Sequence, residues 1–262
     1  MIDDLRNILY LSPPARVSMA DQWFDISTTN HFWVRRRFEV FKTLAGDLIR
    51  SSREIAEIGC GHGLVQRQIE EAYDRQVTGF DLNEFALQRN ESQRSGVCCY
   101  DISQRAPEFG QRFDLILLFD VLEHIDDEDS FLQAAMFHLA PGGHLVINVP
   151  AGQWLYSLYD QAAGHKRRYS IGTLRDAAER NRYSVAKWSY WGFPLIPLAV
   201  LRKAWLAMRQ DKGDTISTGF DSRNDSMNWL LGCVSRLEPT PQKLIGASLM
   251  AVLRLPASEI AR

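Results

Sequence analysis

The chain has 262 residues, 45% of them hydrophobic, with a formal net charge of −2. That length and composition suit one large domain with a buried core, with or without an elaborated lid. The near-neutral charge speaks against a broad basic face for nucleic acid, and four cysteines (Cys60, Cys98, Cys99 and Cys233) include no C-x-x-C pair of the zinc or redox kind.

The N-terminus, "MIDDLRNILYLSPPARVS", carries acids where an export signal needs cations, so the expected location is cytoplasmic. Residues 1–50 read as a helical, aromatic segment, here expected to be a lid, with Trp23, Phe24, His31, Phe32 and Trp33 in it. From residue 51 the pattern changes. "EIAEI" (54–58) is a short apolar strand, followed by a helix over 64–73. "VTGF" (77–80) is a second strand and 83–94 a second helix. "VCCY" (97–100) is a third strand. "FDLILLF" (113–119) is apolar throughout, as a strand covered on both faces should be. A helix over 128–140 and a strand over 144–150 follow. Beyond Pro150 come a capped helix (170–181), a strand (183–191), an apolar insert at about 191–240 that includes a polar loop (210–225), a helix (226–238) and a last strand (247–255). Short apolar strands alternating with helices predict a doubly wound α/β fold, Rossmann-like, with a mostly parallel sheet and ligands at the carboxyl ends of its strands.

The most informative stretch is "AEIGCGHG", where Gly59, Gly61 and Gly63 follow a strand and open a helix. Glycine is needed where a backbone turns sharply and a ligand comes close. The spacing is G-x-G-x-G. A nicotinamide dinucleotide site needs G-x-G-x-x-G, and residue 64 is leucine, so an oxidoreductase is disfavoured. Glu57 precedes the glycines, Asp81 ends the second strand and Asp101 follows the third. Three carboxylates at one end of a sheet suit a nucleoside bearing an ammonium and a sulfonium better than one bearing phosphates. No P-loop lysine is present.

These residues, with "GFD" (79–81), "YDI" (100–102), "FDLILLFDVLEHI" (113–125) and "LAPGGHLVINVP" (139–150), resemble the class I S-adenosylmethionine-dependent methyltransferases over about residues 53 to 191. The resemblance implies a seven-stranded sheet with its last strand antiparallel. It implies S-adenosylmethionine as cofactor and S-adenosylhomocysteine as product. By it, Glu57 and the loop of Gly59, Cys60, Gly61 and Gly63 hold the methionyl and ribose portion. Asp81 takes the ribose hydroxyls, Leu82 packs near the adenine, Asp101 takes the adenine amino group with the Ile102 backbone beside it, and Phe119 lies by the methionine moiety. Transfer to oxygen is expected first. Transfer to carbon or nitrogen of a small metabolite, or a silent cofactor-binding domain, are the alternatives.

Methyl transfer from a sulfonium needs a positioned acceptor and, for a hydroxyl, a proton acceptor. Histidine suits that task. Of the six histidines, His138 and His144 read as structural and His62 as a cofactor contact. His124 falls just past the fourth strand. "DVLEHI" is similar to a stretch of ubiquinone-pathway O-methyltransferases in which acids and a histidine are associated with a divalent metal. Here Asp120, Glu123 and His124 either organise a turn or hold a hard cation, and no metal is assigned. "QAAGHKRRYS" (161–170) precedes a helix on the cofactor side, so His165 and Tyr169 are the remaining catalytic candidates, with one cation of Lys166, Arg167 and Arg168 expected to point inward. The longest apolar run, Tyr190 to Leu201, ends at Arg202 and Lys203 and is too short to span a bilayer, which takes about 20 residues. The insert from Trp191 to about Met208 contains most of it and has Arg202, Lys203 and Arg209 as its basic residues. It suits a lid over a small-molecule or lipid-linked acceptor, with peripheral membrane contact at the inner face as an option, or a buried helix that touches no ligand.

Overall fold

The computed structural model describes residues 8–15, 27–208 and 225–257. Trp23, Phe24, Arg209 and nearly all of the polar loop lie outside these residues.

The strands are β1 (Leu9–Tyr10), β2 (Ile55–Ile58), β3 (Thr78–Asp81), β4 (Val97–Cys99), β5 (Phe113–Phe119), β6 (Leu139–Pro150), β7 (Ser184–Trp191) and β8 (Ser248–Arg254). They form one sheet in the order β1-β4-β3-β2-β5-β6-β8-β7. Neighbours from β1 to β6 pair in parallel, whereas β8 runs antiparallel to both β6 and β7. The expected doubly wound sheet with an antiparallel final strand is present. The eighth strand is β1, two residues on the edge beside β4, too short to leave a pattern in the sequence.

The helices are α1 (Phe32–Ser51), α2 (Leu64–Tyr73), α3 (Glu84–Gln88), α4 (Glu128–His138), α5 (Leu158–Ala162), α6 (Ile171–Arg180), α7 (Ile196–Met208) and α8 (Asp225–Ser235). β5 shows how the core is divided. Successive side chains leave a strand on opposite faces. Ile116 and Leu118 accordingly join Leu132 of α4 and Leu174 of α6 in one core cluster. Leu115, Leu117 and Phe119 join Phe41, Leu44 and Ile49 of α1 and Ile69 of α2 in the other. α1 spaces these apolar residues at helical intervals, so residues 32–51 pack with α2 in one of the two layers that cover the sheet.

Two elements differ from the sequence reading. The helix expected over 83–94 stops at Gln88. Beyond it the Asn90 side chain accepts from the Ser92 N–H, and the Glu70 carboxylate accepts from the N–H groups of Gln93, Arg94 and Ser95. Those side chains supply the partners that further helical turns would have supplied. The strand expected to begin at His144 begins at Leu139, opposite Phe113, with an irregular register before His144 pairs with Leu115.

The chain leaves the sheet in opposite directions after β2 and β5, since β3 lies on one side of β2 and β5 on the other. In open α/β sheets ligands bind in the crevice at such a point, beyond the carboxyl ends of the strands.

Candidate functional site

A cavity of about 520 Å³ opens at that crevice. Its floor comes from the end of β2 and the glycine loop. Gly59, Gly61 and Gly63 all have positive φ, at 74°, 53° and 78°. A Cβ on Gly59 would stand 2.3 Å from Val121 Cγ2, and one on Gly63 would collide with the Asn90 amide, so two of the three positions are closed to larger residues by neighbours as well as by φ.

The acids are set differently. Glu57 is buried, its Oε2 has no hydrogen-bond partner, and it faces the cavity. Burial pushes its pKa up to about 8, opposed by the Arg37 charge and reinforced by Asp81. Asp81 accepts from the Gly61 N–H at 2.7 Å and the Asn83 N–H at 2.8 Å, which turns its carboxylate toward the glycine loop. Gly59, Cys60, Gly61 and Phe119 line the same cavity. Gly63, Leu82, Asp101 and Ile102 lie outside its lining. Asp101 caps the turn Ile102–Gln104, and its own N–H donates to Ser12 Oγ. Ile102 is in the core and Leu82 packs beside Cys99.

The opposite wall carries the imidazoles. His124 and His165 face the cavity, with ring centroids 4.9 Å apart and the rings edge to face. Burial lowers the His124 pKa to about 4, helped by the His165 charge, so His124 is neutral at pH 7. His165 Nδ1 donates to Asp160 Oδ1 at 3.0 Å, and its Nε2 is 3.9 Å from Glu123 Oε1. Tyr169 is placed otherwise than the sequence reading expects. Its ring is in the core and its hydroxyl donates to Glu128 Oε2 at 2.9 Å, so it does not line the cavity. The three cations of "KRR" divide as the charges nearby dictate. Arg168 turns inward to Asp160, Arg167 pairs with Glu128, and Lys166 pairs with Asp126 near the surface.

Asp120 also departs from its expected grouping. It takes a left-handed φ of 56° at the end of β5, a conformation that costs a residue with a Cβ about 1–2 kcal/mol. Its carboxylate accepts from Arg37 of α1 and from Asn148 Nδ2, while the buried Trp191 Nε1 donates to Asn148 Oδ1. Among the described residues, the cluster able to bring one ligand atom each within 4.8 Å is instead Glu123, His124 and His165. Both carboxylate oxygens of Glu123 are buried without a hydrogen-bond partner, and burial pushes its pKa well above the usual range. Two imidazoles and a carboxylate are a donor set that fits a small divalent cation.

Arg37 and Asp160 are the residues that sequence reasoning overlooked. Arg37 belongs to an amphipathic helix far from the motifs, and its partner is 83 positions away. Asp160 did carry a local mark: Ser157 and Asp160 form a capping box at the start of α5.

α7 forms another side of the cavity through Ala199 and Arg202, whose guanidinium lies 4.0 Å from the centre of the Tyr159 ring. Its other face is open, with Leu198, Leu201, Trp205 and Met208 exposed and Leu206 buried. Among the described residues no helix is long and apolar enough to cross a membrane.

A family model for a methyltransferase domain matches residues 30–196. The chain is 31% identical over 113 residues to the ubiquinone biosynthesis O-methyltransferase of Bordetella avium (strain 197N), covering 41% of this chain and 46% of that protein. It is 26% identical over 155 residues to the protein of the same name from Cronobacter sakazakii (strain ATCC BAA-894), covering 54% and 62%. The chain thus spans about half the length of the curated relatives it matches. Among solved structures, a SAM dependent methyltransferase from Archaeoglobus fulgidus shares the fold with a TM-score of 0.51 at 17% identity, over 84% of this chain and 94% of that one.

Proposed function

We propose a function on the premise that this chain belongs to the methyltransferase-domain family. The chain binds S-adenosylmethionine at the carboxyl ends of β2 and β3 and catalyses transfer of its methyl group to an oxygen of a small or lipid-linked acceptor. The observation that carries this reading is the cavity itself. It joins a glycine loop and two carboxylates on one side to two imidazoles on the other.

When bound, the cofactor supplies the electrophilic methyl group and leaves as S-adenosylhomocysteine. The chain's residues do the rest. Asp81, held by two backbone N–H groups, has lone pairs left for the ribose hydroxyls. Glu57, whose pKa burial raises, is placed to meet the cofactor's ammonium, and that cation would favour its carboxylate form. Asp101, Leu82 and the Ile102 backbone lie outside the cavity's lining but next to Asp81 across the β3–β4 pair, and by the family resemblance they take the adenine end. Phe119 walls off the methionine portion. His165 offers Nε2 to the acceptor hydroxyl and takes its proton as the new O–C bond forms and the S–C bond breaks. His124, neutral, holds the acceptor's oxygen or its neighbour by a hydrogen bond. The open apolar face of α7 supports an acceptor carried by a lipid, with the helix at the bilayer surface and its inner side at the cavity.

The orphaned carboxylate of Glu123 supports a second reading of the imidazole side. In it, Glu123, His124 and His165 hold a divalent cation, which would supply Lewis-acid polarisation of an acceptor hydroxyl.

Calorimetric titration with S-adenosylhomocysteine, with and without magnesium, tests both readings. Micromolar binding that Asp81→Ala weakens by about 10-fold or more is expected. Equal affinity in that variant would refute the placement of the ribose. A magnesium-dependent heat lost in Glu123→Gln would favour the second reading. Turnover is then screened among phenols, quinone precursors and lipid-linked sugars, where normal rates in His165→Ala would dismiss it as the base.

A further inference from the structure

We infer that Asp160 is a positioning residue that fixes the tautomer and ring orientation of His165. The inference rests on the reading that places His165 at the acceptor, but it holds whether His165 Nε2 takes a proton or binds a cation, since both tasks need that nitrogen bare and facing the cavity.

Asp160 sits on α5 with its side chain wholly buried. Its Oδ1 accepts two charge-assisted bonds, from His165 Nδ1 at 3.0 Å and from Arg168 Nε at 2.7 Å. Its Oδ2 accepts from the Ser157 N–H at 2.9 Å and from Ser157 Oγ at 3.2 Å. The carboxylate therefore cannot swing: one oxygen is anchored in its own helix and the other is shared by two side chains. The main chain repeats the attachment. The His165 N–H donates to the Asp160 carbonyl at 2.8 Å, and the Tyr156 hydroxyl donates to the His165 carbonyl at 2.8 Å.

An ionised carboxylate can only accept, so the ring nitrogen it meets must carry the hydrogen. Arg168, 8% exposed in its side chain, keeps that carboxylate charged. Every partner of that carboxylate other than the ring is a donor, Arg168 at one oxygen and Ser157 twice at the other, which leaves it only to accept. The proton of a neutral His165 ring is therefore on Nδ1. Nε2 is bare and points to the side where Glu123 and His124 lie. One carboxylate orienting an imidazole through Nδ1 is a general device for presenting Nε2 to a substrate or a metal. A carboxylate present merely to hold α5 would need Ser157 and Arg168 but not the imidazole.

Nitrogen-15 NMR of the imidazoles at about pH 8, where an ordinary histidine is neutral, reads the tautomer directly. The His165 signals are assigned by their loss in His165→Gln. The wild type is expected to show a protonated Nδ1 and an unprotonated Nε2. Asp160→Asn should move His165 toward the other tautomer, and Asp160→Glu should restore it in part, with S-adenosylhomocysteine affinity in both within about twofold of the wild type. A wild-type spectrum with the hydrogen on Nε2 would overturn the inference, and so would an unchanged spectrum in a folded Asp160→Asn. Should that variant fail to fold, the wild-type spectrum still decides. Acceptor turnover in His165→Ala tests the reading beneath and leaves this result where the spectrum puts it.

Discussion

Glu57 illustrates how one buried acid connects cofactor binding to pH. Burial raises its pKa to about 8 in the folded chain. An unfolded glutamate titrates near 4.3. Between those values the folded state binds the extra proton, so Glu57 contributes stability that is fully present below about pH 4 and lost as pH rises through about 8. Glu57→Gln removes that loss. Thermal midpoints recorded from about pH 5 to about pH 9 should fall by several degrees more in the wild type than in the variant. Parallel curves would show that Glu57 titrates as an exposed acid does. Asp160 has the opposite sign. Its stabilisation is present above about pH 4 and fades as pH drops toward 2. At this scale the sequence was informative where function follows strand ends: Glu57 and Asp81 lie in the last residues of β2 and β3, and His124 in the turn Leu122–His124 that follows β5. It was silent on Arg37 because nothing local links an arginine on α1 to Asp120.

The β2–loop–α2 unit is the element that makes the cavity floor. Gly59 has φ of +74°, and an added Cβ would stand 2.3 Å from Val121 Cγ2. Gly59→Ala should therefore cost about 2–4 kcal/mol, from backbone strain and overpacking together, and weaken S-adenosylhomocysteine binding. Urea denaturation measures the first part. Adding Val121→Ala should return the packing share but not the strain, and a double variant no more stable than Gly59→Ala would place the whole cost in the backbone. Elements with strong internal pattern were legible. "FDLILLF" is β5 to the residue, and α2 runs from Leu64 to Tyr73 as its periodicity indicates. α3 was not, because Glu70 captures the backbone that would have continued it, from a different helix. The place of Tyr169 was lost for a similar reason. Its neighbours in sequence are polar and charged, yet its ring packs in the core and its hydroxyl donates to Glu128 at the core's edge.

For the molecule as a whole, the order of strands was legible in the alternation of strand and helix, whereas the surface beyond Trp191 was not. Apolar composition alone could not separate a buried helix from one with an open face. The structure gives α7 one side at the cavity and another on which Leu201 is 66% and Met208 75% exposed. If that face meets lipid, Leu201→Ser with Trp205→Ser should weaken flotation with anionic vesicles by about tenfold or more, with S-adenosylhomocysteine affinity unchanged. Equal flotation of wild type and variant would remove the bilayer from the account.

The place of β8 has a consequence for how the chain is made. It follows β7 in sequence but lies between β6 and β7 in the sheet. When a ribosome has delivered residues up to Trp191, β6 has a bare edge and β7 has no strand to join. Both wait for residues 248–254, whose side chains then fill both faces of the finished sheet. The β1-to-β6 half, with the glycine loop and Asp81, can assemble during synthesis, while the half that closes the sheet is a late event drawn from distant sequence. During that interval the exposed flank of β6, "HLVINVP", is the segment most in need of a chaperone or of fast completion.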